Sequence, residues 1–232
     1  MPHLSCELPS GQSVSIAAEA ADRLTCGVLV LDPVAVGESP AVWDATGDLS
    51  QQLVARWAGR QPSDIPGLVE ARNLYKSFGM DPSRHRPSSE ALLRRVLKGG
   101  DLYRINNVVD TCNLASLTFL LPIGMYDLSL IRGAVALRIG REGEQYEGIR
   151  KGPVHLSGRL GLFDDVGPFG SPTSDSVRTC AGDTTTAILA VIMATADYGR
   201  GRMVDQVAVF SELFSRHCGG IDVFHDVLGG IA

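Results

Sequence analysis

The chain has 232 residues, 44% of them apolar, 20% charged and 6% aromatic, with 21 basic against 26 acidic side chains and a net charge of −5. That apolar fraction excludes a disordered chain, and the length suffices for one large domain with its own core. The longest uncharged apolar stretch, 187–196, is shorter than the ~17–25 residues of a membrane-spanning helix, and residues 1–11 carry no basic stretch leading into an apolar run, so neither a span nor a secretory signal is expected and the expected compartment is the cytoplasm.

In chain order, 27–36 (GVLVLDPVAV) is rich in valine and leucine and predicts a buried strand, and 44–57 has helical spacing of its apolar residues. Ile65, Leu68, Val69 and Leu74 recur near i, i+3, i+4 within 63–78, predicting a helix that stops at Gly79. The next helix starts at Ser88, after Pro87: its hydroxyl suits the free backbone N–H groups, and Glu90 suits the positive helix end. Ala91, Leu92, Val96 and Leu97 form its apolar stripe, Arg94, Arg95 and Lys98 lie near its negative end, and Gly99-Gly100 ends it. A further helix over about 106–119 turns Val108, Val109, Cys112, Leu114 and Leu117 inward and is expected to pack on its predecessor. From Tyr126 onward the texture becomes strand-like, with candidate strands at 128–131, 134–139, 154–156, 160–163 and 188–194. A closing helix over 203–218, with Val204, Val207, Ala208, Leu213 and Phe214 on one face, is expected to brace the sheet. No repeat or low-complexity tract divides the chain, which predicts a single domain over 1–232.

Three segments hold more polar residues than a core needs. Asn106, Asn107, Asp110 and Asn113 lie on one helix, where the last three recur every third residue and can line a pocket; on the residues alone, capping by Asn106 or Asn107 and backbone contacts by Asp110 are the preferred reading. The loop 170–179 (GSPTSDSVRT) gathers hydroxyls around Asp175 and Arg178, a composition suited to an anion or a ribose and also to turns. In 121–127 (LPIGMYD), a turn feeding a strand, Gly124 marks a close backbone approach. Five scattered cysteines without CxxC spacing indicate reduced, mostly buried thiols. Asp164-Asp165 reads as a turn, and His217, Cys218 and His225 lack a fourth ligand of convincing spacing, so no metal is expected. The chain has no GxGxxG, P-loop or GxSxG, and no cofactor is expected.

The ordered series RNLYKSFGMDPSRHRPSSEALLRR, INNVVDTCNLASL, LPIGMYDL, SDSVRT and DTTTAILAVI resembles free-standing relatives of the editing module, called B-three/B-four, of the phenylalanyl-tRNA synthetase beta subunit. The resemblance covers approximately 64–197, with 1–63 as an N-terminal strand-helix part and 198–232 as a C-terminal helix packed on it. It implies an α+β fold: a mixed β core of unusual topology with packed helices. It also implies a pocket for an aminoacyl group, because in the synthetase the module hydrolyses tyrosine misattached to tRNA, a second sieve for a hydroxyl the first site fails to reject.

By the same resemblance, the Thr and Asn of the family's VVDVTNY stretch fall on Cys112 and Asn113, and the histidine of its QPMHAFDL turn falls on Gly124. The family's pocket acid reaches Asp175 only after a two-residue slip, so Asp175 is the expected catalytic acid. Asn107, Cys112, Asn113, Gly124, Ser174, Ser176 and Arg178 are the expected substrate contacts. Lys76, Arg84 and Arg86, within a basic stretch that includes His85, Arg94 and Arg95, are expected to touch tRNA. Two readings follow: a trans-acting deacylase of mischarged aminoacyl-tRNA, or a non-catalytic pocket for a free amino acid or similar metabolite. The net charge predicts weak, salt-sensitive tRNA binding.

Overall fold

Seven consecutive buried residues in strand β3 (Thr25–Leu31) require cover on both faces, and their alternation shows what provides it. Cys26, Val28 and Val30 enter one apolar core, while Leu29 and Leu31 enter another. Strand β11 (Ile188–Ala194) divides in the same way: Leu189, Val191 and Met193 on one side, Ile188, Ala190, Ile192 and Ala194 on the other. These two strands therefore lie in a middle layer, which explains why their sequences read as unbroken apolar runs.

The computed structural model of the chain describes residues 3–150 and 152–230. Strands β1 (Ser5–Glu7) and β2 (Ser13–Ile16) precede β3; helices α1 (Pro40–Trp57), α2 (Pro66–Ser77), α3 (Ser88–Leu97) and α4 (Asn107–Phe119) follow it. Next come β4 (Ile123–Asp127), β5 (Val135–Ile139), β6 (Gln145–Gly148), β7 (Gly152–His155), β8 (Leu160–Phe163), β9 (Pro168–Ser171), β10 (Ser174–Asp175) and β11, then α5 (Arg200–Cys218) and β12 (Asp222–Gly229). The middle sheet has the antiparallel order β12-β3-β11-β4. The outer sheet has the order β1-β2-β5-β8-β9-β10, mixed because β2 and β5 run parallel. Strands β6 and β7 pair as a separate hairpin. The fold is α+β with five helices and mixed sheets among the described residues.

Helices α4 and α5 cover the other face of the middle sheet through Val108, Ala115, Phe119, Met203, Val207, Phe210 and Phe214. Gly27 makes that approach possible, because a Cβ there would stand 2.6 Å from Val207. A third core joins α1, α2, α3 and α4 through Leu53, Leu68, Leu93, Val96 and Leu117. Segments from both ends of the chain interlock in one sheet, since β3 is flanked by β12 and β11.

Several expected elements shift. The strand expected over 27–36 ends at Leu31, where Asp32-Pro33 follows and the proline lacks a ladder donor. The first helix starts at Pro40, well suited to an opening turn, rather than at 44. Residues 128–130 form a 3-10 turn in place of the strand expected over 128–131: the Asp127 carboxylate accepts from Ser129 N at 2.9 Å and from the Ser129 hydroxyl at 2.6 Å, and so caps the turn. The strand expected over 154–156 occupies 152–155.

Candidate functional site

Strand β4 forms one edge of the middle sheet, and β10 approaches that edge. Asp175, on β10, reaches the β4 backbone with Oδ2 3.5 Å from Met125 N. Gly124 and Tyr126, two residues apart on β4, point to the same face. The Tyr126 phenol folds back over Gly124 and also lies against Gly170 of β9: a Cβ at either glycine would stand 2.1 Å from the Tyr126 hydroxyl oxygen. Its ring meets Phe169 edge-on, with centroids 4.8 Å apart. The hydroxyl is buried beside Asp175 without a hydrogen bond of ordinary geometry, and burial, reinforced by the Asp175 charge, pushes its pKa well above the ordinary phenol range.

Cys112, on the α4 side of the same edge, lies close enough to feel Asp175, but burial is the main reason its thiol is pushed far above the usual cysteine range. It is therefore a protonated, buried thiol, unsuited to nucleophilic attack. Tyr146 completes the cluster: its hydroxyl meets Ser171 Oγ at 2.8 Å and donates to Ser174 O. Its pKa is raised, chiefly by burial, with Asp175 adding to the effect. Asp175 and Gly124, drawn from distant segments, thus come together beside the Tyr126 phenol, while Cys112 lies in the core on the opposite face of β4. Tyr126 and Tyr146 were not singled out in the sequence; the i, i+2 relation of Tyr126 to Gly124 was the available signal.

The remaining expected contacts lie elsewhere. Asn107 ties the chain together: its amide donates to Ala35 O at 2.8 Å and His217 O at 3.1 Å, and its carbonyl accepts from Gly37 N at 2.8 Å. Arg178 is not a ligand anchor in this arrangement, because both guanidinium arms bind Asp164, at 2.9 and 2.8 Å. Asp164 also accepts from the backbone N–H groups of Arg132, Val166 and Gly167, so it closes a turn. Ser176 shares a buried hydroxyl pair with Thr179 at 2.9 Å, and the Ser174 hydroxyl turns toward Asp175 O at 3.4 Å. Asn113 faces a separate cleft of about 490 Å³ beside α1, lined also by Trp43, Tyr103 and Asp110. The structure does not bring Asn113 and Arg178 to Asp175.

The basic stretch is less free than its sequence suggests. Glu90, with only 1% of its side chain exposed, draws in Arg72 and Arg94 at 2.8 Å and Arg86 at 3.8 Å. Arg84 is 84% exposed and lies 3.8 Å from Asp81, and Lys76 is exposed at the end of α2. His85 turns inward, with Nε2 3.2 Å from an Arg159 nitrogen; burial and that cation lower its pKa. Two acids, Asp81 and Glu90, thus lie within the patch.

A family profile described as B3/4 domain matches residues 70–220. The chain belongs to the B3/4 domain family. This domain is related to the editing module of the phenylalanyl-tRNA synthetase beta subunit. A comparison with curated proteins returns no match. Among solved structures, the chain is similar to the crystal structure of an N-terminal fragment of the phenylalanyl-tRNA synthetase beta subunit from Pyrococcus horikoshii, with a TM-score of 0.47 and 10% identity over 92% of this chain. The B3/4 chain spans 53% of that fragment, about half its length. No helix among the described residues is long and apolar enough to cross a membrane.

Proposed function

We propose that this B3/4 domain acts on the aminoacylated end of tRNA as a free-standing editing unit, with Asp175 holding and deprotonating the attacking water. The observation that carries this reading is the approach of Asp175 to the β4 edge beside Gly124 and Tyr126. Asp175 and Gly124 are two of the positions that the family resemblance assigns to an aminoacyl pocket. An aminoacyl ester is already activated, so a positioned water and backbone donors suffice for its cleavage. The water oxygen bonds to the ester carbonyl carbon, Asp175 accepts a proton and returns it to the departing ribose oxygen, and the carbon–oxygen bond breaks to free the amino acid. Tyr126, kept protonated by burial, lies beside the Asp175 carboxylate, which Met125 N approaches at 3.5 Å. Its phenol also fills the space over Gly124, which restricts the pocket to small acyl groups. Lys76 and Arg84 supply phosphate contacts, and Arg86 adds charge that Glu90 partly offsets.

The test is equilibrium binding of a tRNA carrying a non-hydrolysable, amide-linked amino acid, compared with uncharged tRNA and free amino acids. The expected result is weak binding that favours the charged tRNA and falls steeply between about 50 and 200 mM salt. Replacing Lys76 and Arg84 by alanine should weaken binding and flatten that salt dependence. A thermal shift with free amino acids but none with either tRNA would overturn the reading in favour of a non-catalytic metabolite pocket, which the engagement of three arginines by Glu90 favours.

A further inference from the structure

The cleft beside α1 lies apart from the Asp175 cluster and has its own chemistry. Its apolar wall includes Val54, Val96 and Leu102, and Trp43 and Tyr103 supply aromatic surface. Tyr103 is 61% exposed although Arg95 lies 4.2 Å from its ring centroid, and Arg104 stands 4.7 Å from the ring of Trp43. Neither Arg95 nor Arg104 has a carboxylate partner among the described residues, in contrast to the arginines around Glu90.

Two polar groups face this aromatic surface. Asp110 is buried and oriented by Trp43 Nε1, which donates to Oδ2 at 2.9 Å, and by Ile105 N, 3.1 Å from Oδ1. A carboxylate has about four acceptor positions, so capacity remains. Asn113 lines the same cleft, and its amide makes no hydrogen bond among the described residues. A fixed carboxylate acceptor beside a free amide matches a planar ring that presents an exocyclic amine next to a ring-nitrogen acceptor. Stacking surface and an unpaired guanidinium at the rim match the remainder of a nucleotide.

We propose that this cleft binds a nucleotide whose base carries an exocyclic amine, of the adenine or cytosine type. The base stacks on Trp43 and Tyr103, the amine donates to Asp110, Asn113 donates to the ring nitrogen, and Arg104 meets the 5′-phosphate. Such a nucleotide is either free or the 3′ end of an RNA. The proposal stands on the cleft alone and is independent of ester hydrolysis at Asp175.

Trp43 gives the test its signal. In a Trp57→Phe background, the remaining tryptophan fluorescence is titrated with 5′-AMP, 5′-CMP, 5′-UMP and adenosine. Quenching by AMP or CMP with at least about tenfold weaker binding of UMP is expected. Asn113→Ala should weaken AMP binding about tenfold while the circular dichroism spectrum and melting temperature hold, and Arg104→Ala should weaken AMP but not adenosine. A short RNA ending in an unpaired CCA that binds more tightly than AMP identifies the RNA end as the source; mononucleotide binding without that gain identifies a free nucleotide. No quenching at millimolar AMP, equal binding of AMP and UMP, or AMP binding unchanged in folded Asn113→Ala would overturn the proposal.

Discussion

Gly124 and Tyr126 form a pair in which each residue makes the other possible. A methyl group at 124 would stand 2.1 Å from the Tyr126 hydroxyl oxygen and 2.7 Å from Cζ, both below any tolerated contact. Gly124→Ala should therefore lower unfolding free energy by about 1–3 kcal/mol in urea titration. Tyr126→Leu, which shortens the intruding side chain, should make the double variant less destabilised than the sum of the singles; strict additivity would show that the two side chains do not compete for one space. Cys112 offers a second check at this scale. Its thiol is buried and held protonated, whereas Cys180 is partly exposed. Iodoacetamide at pH 8 should label Cys180 in the native protein and reach Cys112 only on unfolding. Fast native labelling of Cys112 would point to a reactive thiol.

At the scale of elements, two carboxylates organise charged contacts. Glu90 of α3 gathers Arg72 from α2 and Arg94 from its own helix, so Glu90→Gln leaves three arginines around a neutral amide. Breaking such a buried arrangement is expected to cost about 2–4 kcal/mol, read as a lower urea midpoint, and a loss under about 1 kcal/mol would contradict it. Glu144 closes the turn after β5. Both its oxygens meet Arg138, at 2.8 and 2.7 Å, and Arg141 N donates to it at 2.6 Å. The Arg138 hydrogen bonds lead in holding its pKa down at about 2. A lowered carboxylate pKa contributes stability that is complete above the unfolded value, about 4.3, and is lost as pH falls through the folded value. The stability gap between wild type and Glu144→Gln should therefore be constant near pH 7 and narrow between roughly pH 4.5 and 2. A gap that widens on acidification would reverse the assigned sign.

Across the whole molecule, the legible parts were those with the simplest physical environments. The apolar run 188–194 coincides with β11, because a strand covered on both faces needs apolar residues throughout. Helix α4 was legible from its stripe and from Asn106, whose side chain caps Val109 N at 2.9 Å. Strands β1, β2 and β12 were not legible: β1 and β2 are three and four residues long, and β12 alternates half-buried with exposed positions and carries a register shift after Asp222. At the site, Asp175 and Gly124 come together at the β4 edge, but nothing in sequence spacing showed that Arg178 would be taken by Asp164 or that consecutive residues Cys112 and Asn113 would face different surroundings. The net charge of −5 likewise concealed a basic stretch whose arginines are largely drawn to one acid.

The central claim is that Asp175, beside Tyr126 at the β4 edge, directs water onto an aminoacyl ester. It is tested most directly by the initial rate of amino acid release from a panel of mischarged tRNAs, with wild type and Asp175→Ala side by side. The account predicts release well above the buffer rate for at least one small amino acid, and a loss of at least about a hundredfold in the variant with tRNA binding retained. Release no faster than buffer for every charged tRNA, or an Asp175→Ala protein as active as wild type, would contradict it.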